Sequence, residues 1–129
     1  QVQDTRSGSI AKDDIANRVD QVRFAKPDAA DLLRRALNKS GYVPDVVTLG
    51  ANTDPYQPVE RELEITRSCL GVFAEARNPV SMITKNYLVT RDMDLLGELA
   101  EYDAAHVTLS VTTLDRELAR VMEPRTSQP

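Results

Sequence analysis

The sequence predicts an α/β fold in which parallel strands alternate with helices. Three short apolar runs, at about residues 45–50, 80–84 and 106–111, are each followed by apolar residues at helical spacing. This alternation is typical of βαβ units, in which right-handed crossovers join parallel strands. Three such strands would leave two unpaired sheet edges, which isolated proteins avoid. We therefore expect either a larger barrel or sheet of which the chain is a part, or a second copy that covers the edges.

Composition limits the function classes. The 129 residues are 41% hydrophobic and 28% charged, which is ordinary for a globular protein, and no apolar run is long enough to cross a membrane. The net charge of -4 gives no electrostatic footprint for broad nucleic-acid or membrane binding. The single cysteine, Cys69, excludes an internal disulfide and a cysteine cluster for zinc or iron-sulfur within the chain. Because the chain starts with Gln1 rather than Met, we expect a longer protein that was processed or cut.

The two ends of the chain are polar and lie outside the predicted core. Residues 1–21 carry alternating charges without a clear period, so we expect a flexible or partly ordered N-terminal segment. The predicted core extends over residues 22–125 and begins with a short extended piece at residues 22–25. Residues 126–129 form a polar tail.

The first predicted helix begins after Pro27. Asp28 and Asp31 suit the positive end of the helix dipole, and Ser40-Gly41 suits its end. Its buried stripe is predicted to consist of Ala29, Leu32, Leu33, Ala36 and Leu37.

The first strand and the helix after it come next. Asp45–Gly50 includes the continuous apolar run expected of a strand that is covered on both faces. A single helix is predicted from about Pro58 to Ala76. Its wide inner face is predicted to comprise Leu63, Ile65, Cys69, Leu70, Val72 and Phe73.

Two further strand–helix units follow. Val80–Thr84 is the second predicted strand, and Thr90 is the predicted cap of a helix over Thr90–Ala100. The inward residues of that helix are predicted to be Met93, Leu96, Leu99 and Ala100. His106–Val111 is the third predicted strand, followed by a last helix over Leu114–Met122 that Glu123-Pro124 ends. That helix is predicted to bury Leu114, Leu118, Val121 and Met122.

Polar side chains follow each predicted strand, and the carboxyl ends of parallel strands meet at one rim. They are Thr53, Asp54 and Tyr56 after the first strand, Thr84, Lys85 and Asn86 after the second, and Ser110, Thr112 and Thr113 at the third. One cation, one carboxylate and several hydroxyls suit a small zwitterionic or anionic ligand. Lys85 would meet a carboxylate or phosphate, and Asp54 with the hydroxyls an ammonium or ribose group. The alternative is a rigid turn between strand and helix in which Asp54 caps Tyr56 or Gln57.

Other reactive residues carry less information. His106 lies at the start of a strand, away from the rim, and is interpreted as structural. Cys69 is predicted to be inert on the buried side of a helix. No Ser-His-Asp or Cys-His pairing and no glycine-rich phosphate loop is found.

Four sequence blocks are similar to a known family. They occur in the order Thr53–Pro58 (TDPYQP) with Glu60, Asn78–Lys85, Leu109–Asp115 and Glu123–Arg125. In this order they resemble the radical S-adenosylmethionine (SAM) proteins related to spore photoproduct lyase. The resemblance covers about residues 24–125, and the first block is its most specific part.

The resemblance implies a partial (β/α)6 barrel of the TIM type, of which this chain would hold βα units two to four. In that family a C-x-x-x-C-x-x-C loop after the first strand binds a [4Fe-4S] cluster. The reduced cluster cleaves SAM to start hydrogen abstraction from a substrate. By resemblance, Thr53 and Asp54 would contact the SAM amino group, Lys85 its carboxylate, and Ser110 its methionine or ribose portion. Tyr56 is the fifth expected cofactor-binding residue.

The sequence departs from the family pattern in two places. The cluster cysteines are absent, so no metal ligands are expected from this chain, and by itself it should not cleave SAM. Ala51-Asn52 stand where the spore lyase carries a hydrogen-donating cysteine. The substrate therefore stays open, with nucleic acid suggested by family analogy alone. Iron-sulfur chemistry would imply a cytoplasmic location. The alternative function is a non-catalytic α/β module that binds nucleosides or a protein, and open sheet edges predict self-association in either case.

Overall fold

Three parallel strands, lying side by side in the order in which they occur in the sequence, form the sheet in the part of the chain that the structure describes. This computed structural model describes residues 25–124 and 126–129. The strands are β1 (Val47–Leu49), β2 (Val80–Thr84) and β3 (Ala105–Leu109). The helices are α1 (Ala29–Leu37), α2 (Glu60–Leu63), α3 (Ile65–Ala76), α4 (Met93–Ala100) and α5 (Arg116–Met122), with a 3-10 helix at Tyr87–Asp92 before α4.

Strand register confirms the predicted parallel α/β arrangement. Leu49 pairs with Met82 across β1 and β2, and Thr84 pairs with Leu109 across β2 and β3. The carboxyl ends of the three strands therefore lie along one edge of the sheet. The expected N-terminal segment at residues 1–21, the extended piece at residues 22–24, and Arg125 lie outside the described residues.

The core lies between one face of the sheet and the helices α3 and α4. Its most buried large side chains are Tyr56, Leu70, Phe73, Met82 and Leu99. Alternation along β2 explains the face, since Val80, Met82 and Thr84 are buried while Ile83 is exposed. Helix α1 packs on α3, and α3 packs on α4.

The prediction of a single helix from Pro58 to Ala76 is wrong, because Glu64 separates α2 from α3. Glu64 has φ of +47°, in the left-handed region. The Glu60 carboxylate folds back and accepts hydrogen bonds from the backbone N–H of Thr66 (2.9 Å) and Arg67 (3.3 Å). The first N–H groups of a helix have no acceptor within it, and at the start of α3 the Glu60 carboxylate supplies one. Leu63, predicted to face inward, is exposed.

The helix predicted from Thr90 also begins differently. Asn86, not Thr90, caps the 3-10 helix, since its side-chain oxygen accepts from the Leu88 backbone N–H at 2.9 Å. Thr90 Oγ1 instead donates to the Tyr87 carbonyl at 2.9 Å. Leu96 and Leu99 are buried as predicted, but Met93 is 66% exposed. Ala100 is exposed as well.

The outermost helices are covered less than predicted. In α1 none of the predicted stripe is fully buried, although Leu33 and Leu37 pack against the core. The last helix begins at Arg116 rather than at Leu114, and the four residues predicted to be buried there, Leu114, Leu118, Val121 and Met122, are all exposed. Ala119 is the buried residue of α5. Among the described residues, no element covers the outward side of α5, so its apolar side chains face solvent there.

The amino ends of β1 and β2 are joined by Asn78. This residue is 1% exposed. Its Nδ2 donates to the Asp45 and Pro79 carbonyls, both at 3.0 Å, and its Oδ1 accepts from the Tyr42 hydroxyl at 2.8 Å. The polar groups of this buried side chain are thus paired.

Candidate functional site

Asp54 joins the carboxyl ends of β1 and β2. Its Oδ1 accepts from the Tyr56 backbone N–H at 2.8 Å, and its Oδ2 accepts from the Lys85 backbone N–H at 2.8 Å. The Thr84 hydroxyl lies 2.8 Å from one carboxylate oxygen and 3.0 Å from the other. The interpretation of Asp54 as a cap of Tyr56 is therefore confirmed, and the same carboxylate fixes the backbone that carries the Lys85 side chain.

The backbone approach before this loop is close. Gly50 has φ of +96°, and a Cβ added there would lie 2.1 Å from the Ile83 carbonyl oxygen. A glycine is therefore required for β1 to leave the sheet alongside β2. This contact sets the position of the loop that contains Asp54.

Lys85, Thr112 and Glu123 are joined by hydrogen bonds. The Lys85 Nζ donates to Thr112 Oγ1 at 2.9 Å and forms an ion pair with Glu123 Oε1. Thr112 Oγ1 in turn donates to Glu123 Oε2 at 2.8 Å. The hydrogen bond from Lys85, followed by that from Thr112, lowers the pKa of the Glu123 carboxyl below its ordinary value.

A cavity of about 270 Å³ opens beside this group, at the carboxyl ends of β2 and β3. Lys85 and Glu123 are the charged side chains among the described residues that line it. Ser110 lines the same cavity, and its backbone N–H donates to the Thr84 carbonyl at 2.9 Å. The tail passes over this space, since Ser127 Oγ accepts from the Tyr87 backbone N–H at 2.7 Å.

The structure brings some of the predicted site residues together and separates others. Lys85 and Ser110 face the cavity, and Asp54 lies behind Lys85. Thr53 is exposed, and its hydroxyl accepts from Gln57 Nε2 at 2.5 Å. Tyr56 does not reach the cavity with its ring, which is 0% exposed in the core.

The Tyr56 hydroxyl belongs to a buried ionic network that the sequence did not predict. It donates to Asp92 Oδ2 at 3.0 Å, and Asp92 also receives Arg91 Nε at 2.7 Å and Arg67 Nη1 at 2.9 Å. Arg91 extends the network to Glu60 Oε1 at 3.0 Å. The contacts Tyr56–Asp92, Arg67–Asp92 and Arg91–Glu60 join residues 25–36 positions apart, so they leave no periodic pattern in the sequence. A charged residue, Arg67, within an apolar helix face was the visible cue.

Burial and pairing act in opposite directions in this network. Burial alone would raise the pKa of Asp92, but hydrogen bonds from Arg91, Arg67 and Tyr56 outweigh it and hold that pKa below its ordinary value. Burial, and then the neighbouring Asp92 carboxylate, raise the pKa of the Tyr56 hydroxyl. Asp92 is therefore ionised and Tyr56 protonated at neutral pH.

Other residue types offer little for a metal or a nucleophile. Over residues 25–124 and 126–129, no three His, Cys, Asp or Glu side chains are grouped to hold a metal ion. Cys69 is half-buried on α3, where burial and then Glu60 raise the pKa of its thiol. His106 is exposed on β3. In the described part of the chain, no helix is long and apolar enough to cross a membrane.

Comparison with known proteins identifies relatives without a stated activity. The chain is 35% identical over 104 residues to uncharacterized proteins of Mycobacterium tuberculosis and Mycobacterium bovis, which covers 81% of this chain and 31% of each relative. It is 28% identical over 88 residues to an uncharacterized protein of Methanocaldococcus jannaschii, covering 68% of this chain and 32% of that protein. No family model matches, and no solved structure matches. The chain thus spans about a third of the length of the curated relatives that it matches.

Proposed function

We propose that this chain forms βα units two to four of a partial (β/α)6 barrel in a radical SAM enzyme related to spore photoproduct lyase. The observation that carries the proposal is the cavity at the carboxyl ends of parallel strands, lined by Lys85 and Ser110. Both residues belong to sequence blocks that resemble this family. Such an enzyme cleaves SAM reductively at a [4Fe-4S] cluster and uses the product to abstract hydrogen from a substrate.

The cavity suits the amino-acid portion of SAM. The Lys85 ammonium is a charged donor for a carboxylate, and the Ser110 hydroxyl is a neutral donor beside it. A volume of about 270 Å³ lies slightly below the range of about 300–1,000 Å³ typical of ligand sites. The bound amino-acid group would therefore occupy the cavity while the nucleoside extends from it.

Asp54 supports this site from behind rather than from within. Its carboxylate already receives the Thr84 hydroxyl and the backbone N–H groups of Tyr56 and Lys85. In this proposal Asp54 is a positioning residue that orients Lys85. Thr53 and Tyr56 act through the same loop, Thr53 on its exposed side and Tyr56 as its buried anchor.

The residues of this chain do not fit a [4Fe-4S] cluster. The sequence contains one cysteine, and its thiol lies half-buried on α3. Because the chain spans about a third of its relatives, the proposal assigns the cluster ligands to residues outside it, and the isolated chain is proposed to be inactive. The reducing chemistry of such a cluster favours a cytoplasmic location.

The test is made on the longer protein encoded by the reading frame that surrounds this chain. After anaerobic reconstitution with iron and sulfide and reduction with dithionite, SAM should yield 5′-deoxyadenosine. Lys85→Ala should lower that yield about tenfold, because it removes the charged donor for the SAM carboxylate. Lys39→Ala, at an exposed position just after α1, is the matched control and should keep the wild-type yield. A reading frame without an upstream C-x-x-x-C-x-x-C triad would contradict the proposal.

A second candidate function is a non-catalytic interaction module. Exposed apolar side chains on α5 and beside it favour this candidate, notably Leu114 at 82% and Val121 at 81% exposure. With the outer edge of β3, with which no strand among the described residues pairs, they also support self-association of the isolated chain. Light scattering should then show mass increasing with concentration, and Val121→Lys should reduce the increase. A monomer at all concentrations would argue against self-association.

A further inference from the structure

Glu123 introduces a negative charge into the cavity where the proposed ligand carboxylate would bind. We propose that Glu123 makes this cavity selective for zwitterions: Lys85 receives the carboxylate of an α-amino acid group, and Glu123 receives its ammonium group. The inference rests on the proposed function for the ligand class, and it assigns the ammonium contact to Glu123 in place of Asp54.

Both charged groups retain hydrogen-bonding capacity. An ammonium group has three N–H donors, and Lys85 uses one for Thr112 and one for Glu123. Each Glu123 oxygen has two acceptor sites, and the described residues occupy one on each, Lys85 on Oε1 and Thr112 on Oε2. A ligand can therefore bind without breaking the Lys85–Glu123 ion pair.

The two charges together discriminate between ligands. The Lys85 and Glu123 side chains are 35% and 26% exposed, so each retains a field on the cavity side. An anion is attracted by Lys85 but repelled by Glu123, and a cation meets the reverse. A zwitterion places each of its charges against the opposite charge of the pair. The site thus favours ligands that carry both.

Asp54 is a weaker candidate for the ammonium contact. Its two oxygens already accept from two backbone N–H groups and the Thr84 hydroxyl. It is also absent from the lining of the cavity, whereas Glu123 lines it. Its carboxylate is used to fix the protein backbone.

The experiment is isothermal titration of the 129-residue chain with three probes that differ in charge. S-adenosylhomocysteine is the zwitterion, its deaminated analogue is the anion, and 5′-methylthioadenosine is neutral. Wild-type protein should prefer the zwitterion to the anion about tenfold or more. Glu123→Gln should weaken zwitterion binding about tenfold and strengthen anion binding, so that the preference disappears. Glu98→Gln, on the exposed side of α4, is the matched control and should behave as wild type.

The outcomes separate this inference from the proposed function. If Glu123→Gln bound both S-adenosylhomocysteine and its deaminated analogue more tightly than wild type, Glu123 would only compete with the ligand carboxylate for Lys85. That result would overturn the inference. Zwitterion binding that depends on Lys85 but not on Glu123 would also overturn it and leave the proposed function standing. L-methionine and its deaminated analogue, 4-(methylthio)butanoate, are titrated in parallel by NMR. A Glu123-dependent preference for methionine, without binding of any adenosine compound, would support the inference against the proposed function. Absence of binding by every probe would reject the inference, and the proposed function would then be decided by 5′-deoxyadenosine formation in the longer protein.

Discussion

Two groups of charged residues, one in the core and one beside the cavity, differ in how far their side chains are exposed to solvent. The buried network around Asp92 holds Tyr56, Arg67 and Arg91, and the Asp92 side chain is 0% exposed. At the rim, Lys85 and Glu123 are 35% and 26% exposed beside a cavity. Buried ions that lose a partner are costly, whereas partly exposed pairs contribute little to stability. The first group therefore holds the fold, and the second is available for a ligand.

The largest expected effect is the loss of Asp92. Asp92→Ala leaves the Tyr56 hydroxyl and two guanidinium groups without their shared acceptor, so the free energy of unfolding should fall by about 3–5 kcal/mol. Denaturant unfolding measures the change. Asp94→Ala removes an exposed partner of the same Arg67 and is the matched control, with a much smaller expected loss. Equal losses for the two variants would mean that burial does not distinguish them.

The next effect concerns the backbone that supports the rim. Gly50→Ala places a Cβ 2.1 Å from the Ile83 carbonyl oxygen at a positive φ, so we expect a loss of about 2 kcal/mol in unfolding free energy. Gly97→Ala is the matched control, because a Cβ at Gly97 on α4 meets no atom within 4 Å. That control should be neutral or gain up to about 1 kcal/mol from helix propensity. A neutral Gly50→Ala would refute the close approach of β1 and β2.

A smaller effect should appear in the pH dependence of stability. The folded-state pKa of Asp92 lies below its ordinary value, so its stabilising contribution is present above the unfolded-state pKa of about 3.9. That contribution is lost as pH falls through the folded-state pKa. Denaturation at a series of pH values from 7 to 2 should show a shallower acid decline for Asp92→Asn than for wild type. Parallel curves would show that the pKa of Asp92 is the same in the folded and unfolded states.

The smallest stability effect is expected at the rim. Lys85→Met removes a partly exposed ion pair, so the free energy of unfolding should change by less than about 1 kcal/mol. The same variant should lose binding of S-adenosylhomocysteine, which gives the opposite pattern to Asp92→Ala. Denaturation and titration calorimetry on one preparation measure both. A strongly destabilised Lys85→Met would place Lys85 with the structural network.

Repetitive features of the fold were predictable from the sequence. Val80–Thr84 has the predicted bounds because β-branched and apolar residues there are flanked by clear turn signals. Convergence of Lys85 and Ser110 followed from parallel strands, whose carboxyl ends share one edge. Both predictions depend on local pattern and on strand direction, which a single sequence carries.

Features set by contacts between distant residues were not predictable. Glu64 suits a helix by composition, and its left-handed conformation accompanies the return of the Glu60 side chain to cap α3. The spacing of Val121 in α5 predicts burial, but whether an apolar stripe is covered depends on what packs against it. Glu123 was interpreted as the end of a helix and as part of a family block but not as a site residue, since its pairing with Lys85 spans 38 residues.

The double attachment of Asp54 bears on how a mutational scan of this loop should be interpreted. Asp54→Ala and Lys85→Ala would both weaken ligand binding, although Asp54 does not line the cavity and acts through its hydrogen bond to the Lys85 backbone. Thr84→Val keeps Lys85 but removes the hydroxyl that donates to Asp54 and accepts from the Asn86 backbone N–H, so it tests the backbone support of the site without removing its cation. Partial impairment by Thr84→Val would show that the loop tunes the site through backbone placement, so that conservative changes at Asp54 become a means of grading affinity.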